Sequence, residues 1–166
     1  GGNMALSLSA RLGSERIKSC FALYPAAQLT DPERLATVMG CVSDEFRSGV
    51  VIPHWSMKLF INAYTTPGTD MNDPRLSPMF YDASKFPKYV AVACGDADTL
   101  YRMNFDLMKK ISGSASGTNV DGSRRFICVP NEAHEFNTFG RTRASQEERD
   151  RVEGEAINMI RASWRQ

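Results

Sequence analysis

Residues 89–111 read YVAVACGDADTLYRMNFDLMKKI, and three patterns follow one another within them. The opening YVAVAC is short and continuously apolar, as a strand covered on both faces of a sheet would be. A small, acidic turn comes next, Gly95-Asp96-Ala97-Asp98. From Thr99 the period becomes helical, with Leu100, Met103, Leu107 and Ile111 along one face. Strand, loop and helix in that order build parallel sheets, so the expected class is α/β.

Working outward, residues 17–24 (IKSCFALY) and 125–129 (RFICV) are two further buried-strand candidates, each ended by a proline, Pro25 and Pro130, that cannot continue a central ladder. Residues 1–12 (GGNMALSLSARL) predict a helix with Met4, Ala5, Leu8 and Leu12 near one face and a stop at Gly13-Ser14. Residues 145–164 predict a charged helix whose first turn fits a capping box of Ser145 and Glu148. Residues 112–122 are Ser/Gly-rich and predict a flexible surface loop. Between the first and second strands, residues 26–87 form a long excursion. It carries one amphipathic helix candidate, 54–64 (HWSMKLFINAY), then the turn-rich Thr66-Pro67-Gly68 and Asn72-Asp73-Pro74. Excursions of this length in a compact domain are usually functional or lid-like. The expected architecture is three parallel strands of an incomplete sheet with flanking helices, in one domain over 1–166.

Composition agrees with a single globular domain: 166 residues, 42% hydrophobic, 23% charged. With 20 Lys+Arg against 19 Asp+Glu, the net charge of +1 leaves no electrostatic footprint for nucleic acid or an acidic membrane surface. No apolar run approaches the roughly 20 residues of a spanning helix, and the first residues lack a signal-peptide pattern. The four cysteines, Cys20, Cys41, Cys94 and Cys128, lack CxxC spacing, and Cys20, Cys94 and Cys128 sit in strand candidates. They read as reduced core thiols, and the expected location is cytoplasmic.

Reactive groups in an open α/β sheet collect where strands end. The second strand opens onto Asp96 and Asp98, the third onto Asn131-Glu132-Ala133-His134-Glu135-Phe136. An acid and a histidine on neighbouring strand-end loops are the orienting acid and general base of a nucleophilic triad. Each also has a plainer reading, Asp98 as a helix cap and His134 as a surface histidine. His54 has no acid near it in sequence and reads as structural or pocket-lining. Two distant histidines without HExxH or paired-cysteine spacing suggest no metal, and nothing points to a cofactor.

Five short motifs carry a resemblance that covers essentially the whole chain. Gly1-Gly2-Asn3-Met4-Ala5 resembles the end of G-D-S-A-G-G-N-[LM]-A, Leu23-Tyr24-Pro25 a strand ending in Tyr-Pro, and residues 73–78 (DPRLSP) the pattern D-P-x-x-S-P. Residues 95–100 (GDADTL) resemble G-x-x-D-x-L, and His134-Glu135-Phe136 resembles H-G-F. In this order they are similar to the carboxyl-terminal half of the hormone-sensitive-lipase-like α/β-hydrolases, carboxylesterases and lipases with a Ser-Asp-His triad. The resemblance implies Asp98 as triad acid, with Asp96 as its rival, and His134 as triad base. It also implies small apolar esters as substrates. Trp55, Leu59 and Phe60 would line the substrate pocket, or simply pack. Glu135 departs from the family's Gly. The family's nucleophilic Ser and first oxyanion donor would stand just before Gly1, so the chain is expected to carry acid and base without nucleophile, and to be inactive alone. A complementing amino-terminal half or a second copy would then be its partner. The competing expectation is a non-catalytic truncated or degenerate hydrolase fold that binds a small ligand or another chain.

Overall fold

The computed structural model of the chain describes residues 1–140 and 142–165. Three strands, β1 (Ser19–Leu23), β2 (Tyr89–Gly95) and β3 (Arg124–Val129), form one parallel sheet in that spatial order. The ladder pairs Leu23 with Ala93, Cys94 with Cys128 and Gly95 with Val129, so neighbouring strands end at nearly the same height. The loops that follow β2 and β3 therefore emerge side by side.

Six α-helices among the described residues surround this sheet: α1 (Gly2–Leu12), α2 (Leu35–Val38), α3 (His54–Tyr64), α4 (Tyr101–Ser112), α5 (Phe136–Phe139) and α6 (Arg143–Trp164). Because side chains alternate along a strand, β2 serves two cores. Val90 and Val92 join Leu6 and Ala10 of α1, Met57 and Ile61 of α3, and Met103 and Leu107 of α4 on one face. Ala91 and Ala93 join Val129, Phe136, and Val152 and Met159 of α6 on the other. All of Val90 to Cys94 is buried, as the unbroken apolar run requires. Glycines close two helices: Gly113 adopts a left-handed conformation (φ 68°) and donates its N–H to Lys109 O at 3.0 Å, and Gly13 (φ 71°) ends α1. No helix among the described residues is long and apolar enough to cross a membrane.

Three local expectations are corrected. Helix α1 turns Leu6 and Ala10 to the core and leaves Met4, Leu8 and Leu12 exposed, the reverse of the amphipathic reading. Its inner side is instead tied by polar groups: Asn3 Nδ2 donates to Ala26 O (2.7 Å) and Leu76 O (2.9 Å), and Ser7 Oγ reaches Pro74 O (3.4 Å). Helix α6 starts two residues earlier than predicted, capped by Thr142, whose Oγ1 accepts the Ser145 N–H at 3.1 Å. Glu148 takes no part in the cap and pairs with Arg151 at 2.7 Å. Cys128 is half-buried, since β3 is flanked by a single strand, whereas Cys20 and Cys94 are buried as expected.

All four thiols are free. Burial pushes the Cys20, Cys94 and Cys128 thiols above their ordinary value, Cys94 furthest, which starves them of reactive thiolate. Titration with a thiol reagent should label Cys41, and Cys128 more slowly, in the folded chain. Cys20 and Cys94 should react once denaturant is added, as peptide mapping of the labelled sites would establish.

Candidate active site

The loop leaving β2 is tied down by Asp98, which is completely buried. Its Oδ1 accepts the Leu100 N–H at 2.8 Å, a local turn that starts α4, and its Oδ2 lies 2.8 Å from His134 Nδ1. The helix-cap reading is corrected, since the N-cap of α4 is Leu100 without a side-chain cap bond; one oxygen of Asp98 closes the turn before the helix and the other meets the His134 ring. A third donor comes from beneath: Cys94 Sγ is 3.6 Å from Oδ2, and Asn104 Nδ2 in turn is 3.6 Å from Cys94 Sγ. Burial first, and the charge of Asp98 second, keep Cys94 a thiol, so it can donate. Asp96 is engaged elsewhere; its Oδ1 accepts the Asn131 N–H at 2.7 Å.

Bonding through Nδ1 leaves Nε2 as the uncommitted ring nitrogen of His134 among the described residues, and His134 lines a cavity of about 680 Å³. One wall of it is the amino end of α1, Gly1 to Met4, another is Leu23 to Ala26, and α3 contributes Met57, Phe60, Ile61, Ala63 and Tyr64. No Ser, Thr or Cys is in this lining among the described residues. Of the three predicted lining residues Phe60 takes part, while Trp55 and Leu59 stand on the exposed side of α3, outside the wall. His54 is also exposed and outside it. Among the described residues no group of three His, Cys, Asp or Glu is placed to hold a metal ion.

The imidazole is held from several directions that short-range sequence patterns do not reveal. The Tyr24 ring lies 4.4 Å from it, tilted by 58°, with the phenol donating to Asn137 Oδ1 at 2.6 Å. Tyr24 has φ 35°, a rare conformation for an aromatic residue, fixed by its N–H to Ala93 O at 2.7 Å and by Pro25 after it. Residues 47–50 of the excursion run along the loop that carries His134. Val50 and His134 exchange both backbone bonds, 2.7 and 3.1 Å, and Ala133 N–H donates to Ser48 O at 2.9 Å. Gly49 (φ 95°) is required there, because a Cβ would lie 2.4 Å from His134 O.

Glu132 anchors this contact. Its carboxylate is fully buried and accepts from the Ser48 hydroxyl and from Ser145 Oγ (2.7 Å), with Arg47 Nε at 3.4 Å. A buried carboxylate is tolerated when donors surround it. Ser145, predicted as a helix cap, is therefore a partner of Glu132. The acid itself was visible in the sequence as a second carboxylate beside His134; Ser48, over eighty positions away, carried no signal.

Residues 1–138 match the family model for the alpha/beta hydrolase fold. Brefeldin A esterase, described as a bacterial homologue of human hormone sensitive lipase, superposes with a TM-score of 0.66 at 22% identity, over 98% of this chain and 46% of that one. EstE1, a carboxylesterase cloned from a metagenomic library, gives 0.69 at 19%, over 96% and 52%. Carboxyl esterase 2 of the mycorrhizal fungus Tuber melanosporum gives 0.65 at 18%, over 98% and 50%. The chain thus spans about half the length of these solved structures. No curated protein matches it.

Two outcomes test the site. Replacing Gly95, where a Cβ would lie 1.9 Å from Glu132 O, by Ala should cost about 1–3 kcal/mol. It should also move the His134 ring signals in NMR spectra by pulling the two loops apart. Because Cys94 ionises near its ordinary 9.0 in the unfolded chain and only well above that when folded, stability is full below that value and is lost as the pH rises past it. Urea midpoints should fall between about pH 8 and about pH 10, and fall less in Cys94→Ala.

Proposed function

Since the chain belongs to the alpha/beta hydrolase fold family, we propose that it supplies the acid and the base of a Ser-Asp-His carboxylic ester hydrolase. The observation that carries this reading is the 2.8 Å contact of His134 Nδ1 with the buried Asp98, beside a largely apolar cavity. Asp98 keeps the proton on Nδ1, which leaves the Nε2 lone pair to act as base. Nε2 takes the proton of a serine hydroxyl as its oxygen bonds to the ester carbonyl carbon. The same proton then passes to the alkoxide when the C–O bond breaks, and the cycle repeats with water on the acyl-enzyme.

Among the described residues the cavity wall offers no Ser, Thr or Cys, so the nucleophile is assigned to polypeptide outside these residues. The amino end of α1 lines the same cavity as His134, which suits a serine carried on a turn leading into Gly1. Residues 26–87 are assigned as a cap-like segment, because α3 roofs the cavity and 47–50 grip the base loop. The apolar lining favours small esters with a substantial apolar part. A complementing amino-terminal polypeptide is the expected partner, on the unpaired edge of β1 beside the exposed Met4, Leu8 and Leu12.

The test is p-nitrophenyl ester hydrolysis by the 166-residue chain, alone and mixed with a polypeptide bearing the serine-containing turn and the preceding strands. The chain alone should give no burst of nitrophenol. The mixture should turn over, and Asp98→Asn or His134→Ala should lower its kcat by roughly 10³–10⁴ with little change in KM. A burst from the chain alone overturns the assignment of the nucleophile. A mixture that binds but stays inactive favours the ligand-binding alternative.

A further inference from the structure

Glu135 follows the base directly and lines the same cavity, yet the network around His134 does not use its side chain. It stands in the left-handed region at φ 58°, a conformation that costs a Glu more than it would cost a Gly. Its backbone O accepts from Thr138 and Phe139 N–H, while its carboxylate has no hydrogen bond or ion pair among the described residues. It is half-buried, so solvent screens it incompletely. No Lys or Arg side chain is in the cavity lining among the described residues to neutralise it. Two aromatic side chains of α3, Phe60 and Tyr64, line the same cavity.

An unpaired carboxylate, two rings and apolar groups lining one cavity suit one ligand chemistry. We infer that Glu135 makes this cavity selective for esters bearing a cationic, ammonium-type group, and makes it disfavour esters bearing a carboxylate. A quaternary ammonium presents an apolar surface with a diffuse positive charge. It is attracted by ring faces and by a nearby anion, and it has no N–H groups that burial would leave unsatisfied. The reach of the Glu135 charge is visible at Tyr24, whose phenol is pushed up first by burial and next by Glu135. A carboxylate on the ligand would meet the same charge with the opposite sign.

This inference rests on the cavity being the ester site, and a binding measurement separates its failure from failure of that reading. Butyrylcholine and its uncharged isostere 3,3-dimethylbutyl butyrate are titrated into the chain, with the ring signals of Tyr24 and His134 followed by NMR. The cation should bind about fivefold more tightly than the isostere. That preference should shrink to near unity in Glu135→Gln and in Glu135→Gly, and fall as salt is raised. Glu135→Gly removes the charge while relieving the left-handed strain, so it keeps the test valid should the Gln variant fold poorly. The Gly1 ammonium shares the wall, so the difference between wild type and variant carries the test, not the absolute affinity. Equal binding of the two esters by the wild type, or an unchanged preference in both variants, overturns the inference and leaves the ester site standing. Absence of any shift at Tyr24 and His134 with either ester overturns both.

Discussion

At the top of the sheet the carbonyl of Glu132 passes so close to Gly95 that a β-carbon on Gly95 would sit 1.9 Å from its oxygen. The last residue of β2 must therefore be glycine for the loop after β3 to cross where it does. Across this gap Ala97 N–H donates to Glu132 O at 3.1 Å, Asp96 N–H to Val129 O at 3.1 Å, and Asn131 N–H to the Asp96 carboxylate at 2.7 Å. Two loops separated by more than thirty positions in the chain become one stitched surface. The meeting of Asp98 with His134 is a consequence of that stitching, and the even strand ends set by the parallel register make it reachable.

Strand-end loops normally lie in water, but this one is roofed by residues 47–50 and floored by the start of α6, so its polar groups need protein partners. Glu132 supplies them. Its two oxygens serve a serine from the excursion, a serine from α6 and the Arg47 guanidinium, which joins three parts of the chain at one buried charge. Removing the carboxylate would strand two buried hydroxyls, and removing the hydroxyls would strand a buried charge, so the set is stable as a whole. A mechanical link follows. The excursion that shapes the cavity through α3 also pairs with the backbone of His134 through Val50, so one segment positions both the wall and the imidazole.

The parts of this arrangement that were legible in the sequence are those with local signatures. Short, mainly apolar runs ended by Gly or Pro marked all three strands, and their order placed Asp98 and His134 on neighbouring loops. The contacts that hold His134 were hidden because Ser48, Gly49 and Tyr24 act over long sequence separations through backbone and ring contacts that no spacing rule encodes. Helix α1 misled for a different reason. An amphipathic reading favours the bulky stripe of Met4, Leu8 and Leu12, whereas the helix lies close against β1 and the excursion through Gly2, Leu6 and Ala10 and by hydrogen bonds from Asn3 and Ser7. Small and polar residues allow an approach that the bulky stripe would prevent. Ser145 was likewise read as a local cap because its true partner, Glu132, comes from another element.

The two borders of the sheet are treated differently. Outside β3, the segment after α4 turns back so that Phe126 N–H reaches Gly117 O at 3.1 Å and Asn119 N–H reaches Arg124 O at 2.9 Å, closing that edge with backbone bonds. Outside β1 no described residue makes such bonds; its ladder partner is β2 alone. On either side of this open border the helices carry large exposed apolar groups, Leu8 and Leu12 on α1 and Ile157, Ile160 and Trp164 on α6. Edges meant to face water are usually blunted by charge, proline or a bulge. The β1 sequence SCFAL has none of these. Its composition is that of an interior strand, yet among the described residues it has one neighbour, so the two borders of the sheet differ in chemistry as well as in pairing.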